Sequence, residues 1–162
     1  MSQTIGPLDP QLKDTILNVL DENRIMTVAT VRPDGWPQAT IVGFIHDDLA
    51  LYFVIAANSQ KRDNIKRDAR VSIAIGRDVA DHIRGLSMAA RVSEVTDVDE
   101  VKRLNLLIAE RYPQQTLFAP REVSAALMRA MPTIISVIDH SKEPGQPELV
   151  EVVKDVGVRR LG

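Results

Sequence analysis

The sequence predicts a mostly β fold with flanking helices, an α+β domain of the barrel or sandwich kind. Short runs rich in β-branched residues recur between turn signals, the pattern of many short antiparallel strands. Few long helical stretches separate them, which argues against a doubly wound parallel sheet. A length of 162 residues fits one domain, 1–162, large enough to bury a core without disulfide or metal staples.

The chain opens with Asp9-Pro10, an N-cap followed by proline at the first helical position. Leu12, Ile16, Leu17 and Leu20 then recur at helical spacing, predicting a helix over 10–23. Ile25 to Val31 reads as a strand, Pro33-Asp34-Gly35 as a turn, and Gln38 to Ile45 as the second strand of a hairpin. His46-Asp47-Asp48 reads as another turn, which puts His46 in solvent, before a third strand over Leu49 to Ala56. Ser59 to Asp68 is polar and basic, and fits a short surface helix capped by Ser59.

Val71, Ile73 and Ile75 alternate with small or polar residues, giving a fourth strand over 70–75, and Leu86 to Val95 gives a fifth. The polar stretch between them, Arg77 to Arg84 with His82, reads as a loop. Asp97 and Glu100 stand at capping-box spacing. Val101, Leu104, Leu107 and Ile108 follow at helical spacing, so a helix is expected over 98–112. Pro120 to Ala130 suggests a further helix, and Thr133 to Asp139 and Leu149 to Val153 the last strands.

Composition excludes several function classes. The net charge of −2 is not that of an electrostatic nucleic-acid binder. The basic cluster Lys61, Arg62, Lys66, Arg67 and Arg70 also lacks the interleaved aromatics on which bases stack. With no cysteine there are no disulfides, thiolate nucleophiles or Cys-ligated clusters, so redox chemistry needs a bound cofactor. Residues 1–10 lack a secretory pattern, and no apolar run approaches the roughly 20 residues of a membrane span. The expectation is a cytoplasmic protein with no membrane or nucleic-acid partner.

Met26 to Gly76 carries a resemblance, in the order of its parts. A strand ends in Pro33-Asp34-Gly35, and the next carries Pro37-Gln38-Ala39-Thr40. A hairpin leads to Leu51-Tyr52-Phe53. Then come Asn58-Ser59-Gln60-Lys61, a basic helix, and Ala69-Arg70-Val71-Ser72. Ala89-Ala90-Arg91-Val92, Arg111-Tyr112-Pro113 and Ile138-Asp139-His140-Ser141-Lys142 extend it. In this order the chain resembles the pyridoxamine 5′-phosphate oxidase-like FMN-binding family. The resemblance implies a six-stranded antiparallel split β-barrel and a homodimer with the flavin at the subunit interface.

It also implies a site. Positions matching Ser59, Gln60 and Lys61 lie by the FMN phosphate in the family. The residue chemistry agrees, because a dianion suits a capped helix N-terminus with Lys61 and Arg62 adding charge. Thr40, Ile41, Val42, Phe53 and Val54 match the ring-covering strands, and His140 and Lys142 match the segment near the partner's flavin. Trp36 either covers the cofactor or staples its turn. Two departures separate the chain from the vitamin oxidases. Pro37 to Thr40 contains no arginine for the phosphate, and Val156 to Gly162 contains no aromatic to grip a substrate.

The implied function is therefore an FMN-dependent oxidoreductase exchanging a hydride or electrons with a small-molecule donor or acceptor. The substrate stays unnamed, and no side chain stands out as an acid or base. Other readings on the same fold are a non-catalytic flavin-binding or stress-associated protein, a deazaflavin in place of FMN, or haem binding or degradation with His46, His82 or His140 as iron ligand.

Overall fold

Three helices and nine strands follow one another among the described residues of the computed structural model, which are 7–80, 82–113, 124–139, 147–154 and 156–161. Their order is α1 (Pro10–Asp21), β1 (Ile25–Val31), β2 (Pro37–Gly43), β3 (Ile45–Asp47), β4 (Ala50–Ala56), α2 (Gln60–Arg67), β5 (Arg70–Val79) and β6 (His82–Glu94). Then come α3 (Val98–Arg111), β7 (Ala125–Asp139), β8 (Glu148–Val153) and β9 (Gly157–Arg160). No helix among the described residues is long and apolar enough to cross a membrane.

All the strands join one antiparallel sheet in the order β2-β1-β5-β6-β7-β4-β3, with β8 and β9 branching from β7. The expected class holds: mostly antiparallel β with helices, a split-barrel arrangement in which β2 and β3 end the hydrogen-bonded path without closing it. The strand count is nine rather than six, because β3, β8 and β9 are short additional pairings.

The split originates in β7. One edge of this strand pairs with β6 along 128–139. The other edge pairs first with β4, through 125–130, and then with β8, through 134–137. Between the two partners lies a bulge: Ala89 faces Ile134 and Ala90 faces Pro132, leaving Thr133 as the extra residue. Proline has no N–H to give a ladder and is confined to such positions. The Thr133 hydroxyl bonds the Ala89 carbonyl at 3.1 Å instead. The extra residue switches the buried phase from even positions (Ala126, Met128, Ala130) to odd ones (Ile135, Val137).

This corrects the helix expected over 120–130. Ala125–Ala130 is strand, and 120–123 lies outside the described residues. Ala, Leu and Met favour helix weakly, and pairing with β4 and β6 overrides that preference. The stretch expected as a loop over 77–84 is also largely strand, since β5 and β6 stay paired as far as Val79 and His82. There Arg77 faces Arg84, a like-charge pair that would repel. Glu22 neutralises both, at 3.1 Å and 3.0 Å.

Asp9 caps α1 as expected, its carboxylate accepting the Leu12 N–H at 2.9 Å. At α3 the capping box is not formed. Asp97 accepts from Asp99 N–H, but Glu100 turns inward to accept from Arg129 at 3.0 Å and from the Tyr52 hydroxyl at 3.3 Å.

Two apolar clusters form. The larger fills the barrel with alternate residues of β1, β4, β5, β6 and β7, plus the apolar stripe of α1 and Ile65 of α2. The smaller seats α3 on the outer face of β3 and β4, through Ile45, Tyr52, Leu104, Ile108 and Tyr112. Among the described residues no helix covers the rest of the outer face, and Ile25, Ile41, Ile83 and Ile134 stand exposed there.

Candidate functional site

Helix α2 begins where β4 runs out of apolar residues. Ser59 has extended backbone, and its hydroxyl accepts the Arg62 N–H at 3.3 Å. The N–H groups of Gln60 and Lys61 then have no acceptor in the helix and sit at the positive end of its dipole. The two neighbouring cations behave differently. Arg62 forks onto Glu94 at the end of β6, with Nη2 3.0 Å from both carboxylate oxygens, and its Nη1 donates to the Ala57 carbonyl at 3.0 Å. Lys61 is half-buried and has no hydrogen bond or ion pair among the described residues; burial alone lowers its pKa from the usual lysine value.

Below α2 lies a polar network. Buried Asn64 donates to the Thr30 hydroxyl at 3.0 Å and to Gln38 Oε1 at 3.3 Å, and Gln38 Nε2 donates to Gln60 Oε1 at 3.4 Å. The network fastens α2 to β1 and β2. Two oxygens in it or beside it, Asn64 Oδ1 and Thr40 Oγ1, are buried without a partner among the described residues. An unsatisfied buried polar group costs about 1–3 kcal/mol. Thr40 lies two residues along β2 from Gln38, so its hydroxyl projects from the same face of the strand.

The bare outer face lies on the other side of β2. Across it Ile41, Thr27, Ala74, Ser87 and Ser136 stand in one cross-strand row. A shallow cavity of about 330 Å³ opens over this row, and no ionisable residue lines it. Gly76 faces Gly85 at its edge, where a Cβ on Gly85 would meet the Ile75 carbonyl at 2.4 Å.

The residues expected to form one site are thus divided. Ser59, Gln60, Lys61 and Thr40 gather about α2 and β2. Val42 packs against the barrel core, and Phe53 is 1% exposed within it. Ile41 and Val54 are exposed, Ile41 on the bare face. His140 and Lys142 lie outside the described residues. Trp36 is 70% exposed in the turn after Gly35, which adopts φ +85°.

His46 is buried, not solvent-exposed as the turn reading implied. Its Nδ1 lies 2.9 Å from the Asp48 carbonyl and its Nε2 2.8 Å from Asp21 Oδ1. Both ring nitrogens are therefore occupied. Gln38, Asn64 and Glu94 were not singled out in the sequence, because their partners lie 22 to 34 residues away.

The comparisons with known proteins fit this geometry. General stress protein 26 of Bacillus subtilis is 31% identical over 67 residues, which is 41% of this chain and 47% of that protein, so the match spans about half of that relative. An F420H(2)-dependent biliverdin reductase of Mycobacterium tuberculosis is 31% identical over 104 residues, 63% of this chain and 73% of that one. A heme binding protein from Mycobacterium smegmatis has a similar fold, with a TM-score of 0.71 at 15% identity, covering 90% of this chain and 60% of that chain. The sequence pattern of the family described as pyridoxamine 5′-phosphate oxidase matches residues 12–134. That match covers more than half of the chain, which belongs to the pyridoxamine 5′-phosphate oxidase family.

Proposed function

We propose that the protein binds a phosphorylated flavin, FMN first, and acts as a flavin-dependent oxidoreductase. The observation that carries this reading is Lys61, a half-buried ammonium without a counterion among the described residues, beside the open N–H groups of a capped helix. A phosphate dianion fits that position. The unpartnered Thr40 hydroxyl, on the strand tied to Gln60, is a further polar contact for the same ligand. Bound flavin would supply hydride and electron transfer. The chain's part is to hold the phosphate with Ser59, Gln60 and Lys61, and to keep Arg62 clamped so that the helix stays in place.

The bare face supports a homodimer. Small side chains in a flat row, fringed by exposed isoleucines, suit a second copy packed across a two-fold axis. The ring of the flavin would then lie between apolar surfaces without an ionisable neighbour. A deazaflavin is the second reading, supported by the name of the mycobacterial relative. For haem, His46 is not an open ligand, because both of its nitrogens are engaged, whereas His82 has only Nδ1 engaged, with the Ala80 carbonyl at 3.3 Å.

Titration of the purified protein with FMN, a phosphorylated deazaflavin and haem separates these readings by absorbance and flavin fluorescence. Saturable binding of FMN, with reduction by a nicotinamide, is expected. Binding of haem alone, marked by a Soret band, would overturn the proposal.

A further inference from the structure

A second cavity, of about 640 Å³, lies at the other end of β1 from α2 and is lined by Leu17, Asp21, Arg24, His46, Asp47, Asp48, Arg111 and Tyr112. Its volume falls in the range of small-molecule sites. The charges around it do not balance. Two of the three lining acids are met by cations, Asp48 by Lys13 at 2.8 Å and Asp47 by Arg103, while Asp21 Oδ1 lies 2.8 Å from His46 Nε2. Neither Arg24 nor Arg111 has an acid among the described residues. Most other described arginines do, including Arg32, Arg62, Arg70, Arg77, Arg84, Arg103, Arg129, Arg159 and Arg160.

Tyr112 organises the two cations. The Arg24 guanidinium carbon lies 5.4 Å from the centroid of its ring, a cation–π contact, and its N–H groups have no hydrogen-bond partner among the described residues. Arg111 is the preceding residue and is electrostatically coupled to the same phenol. The phenol lies among charges of both signs, Asp21, Arg111 and Arg24, and burial raises its pKa, so its O–H remains a donor near neutrality. Two forked cations and a hydroxyl thus converge on one concave surface. The fork geometry matches carboxylate or phosphate oxygens bidentately.

We propose that this cavity is a second ligand site, separate from α2, which takes a small doubly anionic molecule between Arg24, Arg111 and the Tyr112 hydroxyl. Its occupant is a phosphate monoester or a dicarboxylate. Bound there, it ties the end of α3 to the junction of α1 and β1. The proposal does not rest on the flavin reading.

Calorimetric titration at constant ionic strength tests it, with glycerol phosphate and succinate as dianions and acetate as the monoanion. One dianion is expected to bind saturably and acetate at least tenfold more weakly; whichever dianion binds names the class. Arg24→Gln and Arg111→Gln are each expected to weaken it by about 10- to 150-fold, the worth of a charged hydrogen bond. Both residues are exposed, so the variants should fold. In the Lys61→Ala background, which removes the α2 phosphate site, saturable dianion binding is expected to persist and to depend on Arg24 and Arg111. Absence of saturable dianion binding in that background overturns the proposal. So does binding there that survives both arginine variants.

Discussion

Arg62 and Glu94 form a forked ion pair that closes the side of α2, with Arg62 Nη2 3.0 Å from each carboxylate oxygen. The pair consumes one of two adjacent cations and leaves Lys61 as the free one. The two residues should therefore fail differently. Lys61→Ala is expected to weaken FMN binding about 10- to 150-fold while leaving riboflavin, which lacks the phosphate, unchanged. Arg62→Ala should cost about 1 kcal/mol of stability, most of it lost already in Glu94→Ala, as a double-mutant cycle would register. Equal loss of riboflavin and FMN in Lys61→Ala would place the phosphate elsewhere.

The same lysine sets a pH dependence. Burial holds its pKa below the usual lysine value, so the neutral form gains on raising the pH earlier than for a free lysine. A dianion favours the charged form and so takes up a proton on binding. FMN affinity is expected to fall as pH rises through the Lys61 pKa, and the slope should vanish in Lys61→Ala.

Asp9 gives a pH effect at the acid end. Its carboxylate is held below its ordinary pKa, first by the Leu12 N–H and then by Arg160. A depressed carboxylate contributes stability that is present above the unfolded pKa near 3.9 and lost as pH falls through the folded value. Asp9→Asn keeps a capping oxygen but loses the charge. Its melting temperature should converge on that of the parent as pH drops below about 4.

Glu22 makes the extension of β5 and β6 tolerable by facing both Arg77 and Arg84. Glu22→Gln should destabilise the protein by up to about 1 kcal/mol, because these are partly exposed pairs. The loss should shrink in high salt, which screens the arginine repulsion. Hydrogen exchange should show it concentrated at the end of that hairpin. A loss spread evenly over the sheet and insensitive to salt would assign Glu22 another role.

The proposed dimer rests on the exposed row of β2, β1 and β5. Ile41→Glu and Ala74→Arg each put a charge into that face without touching the core. Sedimentation should show a parent dimer and variant monomers of unchanged circular dichroism. A monomeric parent holding FMN would sink the interface.

What the sequence revealed depended on locality. β1 appeared over its full observed span because its β-branched run carries its own signal. Ser59 announced α2 because a cap and its helix are neighbours. β7 was halved, because 125–130 is made of helix formers and becomes strand only beside β4 and β6. β9 has four residues and little pattern to read. Arg62 looked like a phosphate ligand because Glu94, its actual partner, stands 32 residues away. The unpaired Arg24 and Arg111 emerge only once α1, β3 and α3 are brought together.

The bulge at Thr133 also constrains how the chain can fold. Because β7 holds β4, β6 and β8 at once, the two halves of the sheet are not joined until the chain through 139 has docked. Before then β4 and β6 present bare backbone edges, the species from which aggregation starts. Docking in the correct half-strand phase is a long-range step, so folding should be slow for a chain of this size. One residue inserted after Ile134 would turn Ile135 and Val137 to the wrong side of the sheet. Such a chain should still be made, yet collect as early aggregates that no flavin rescues.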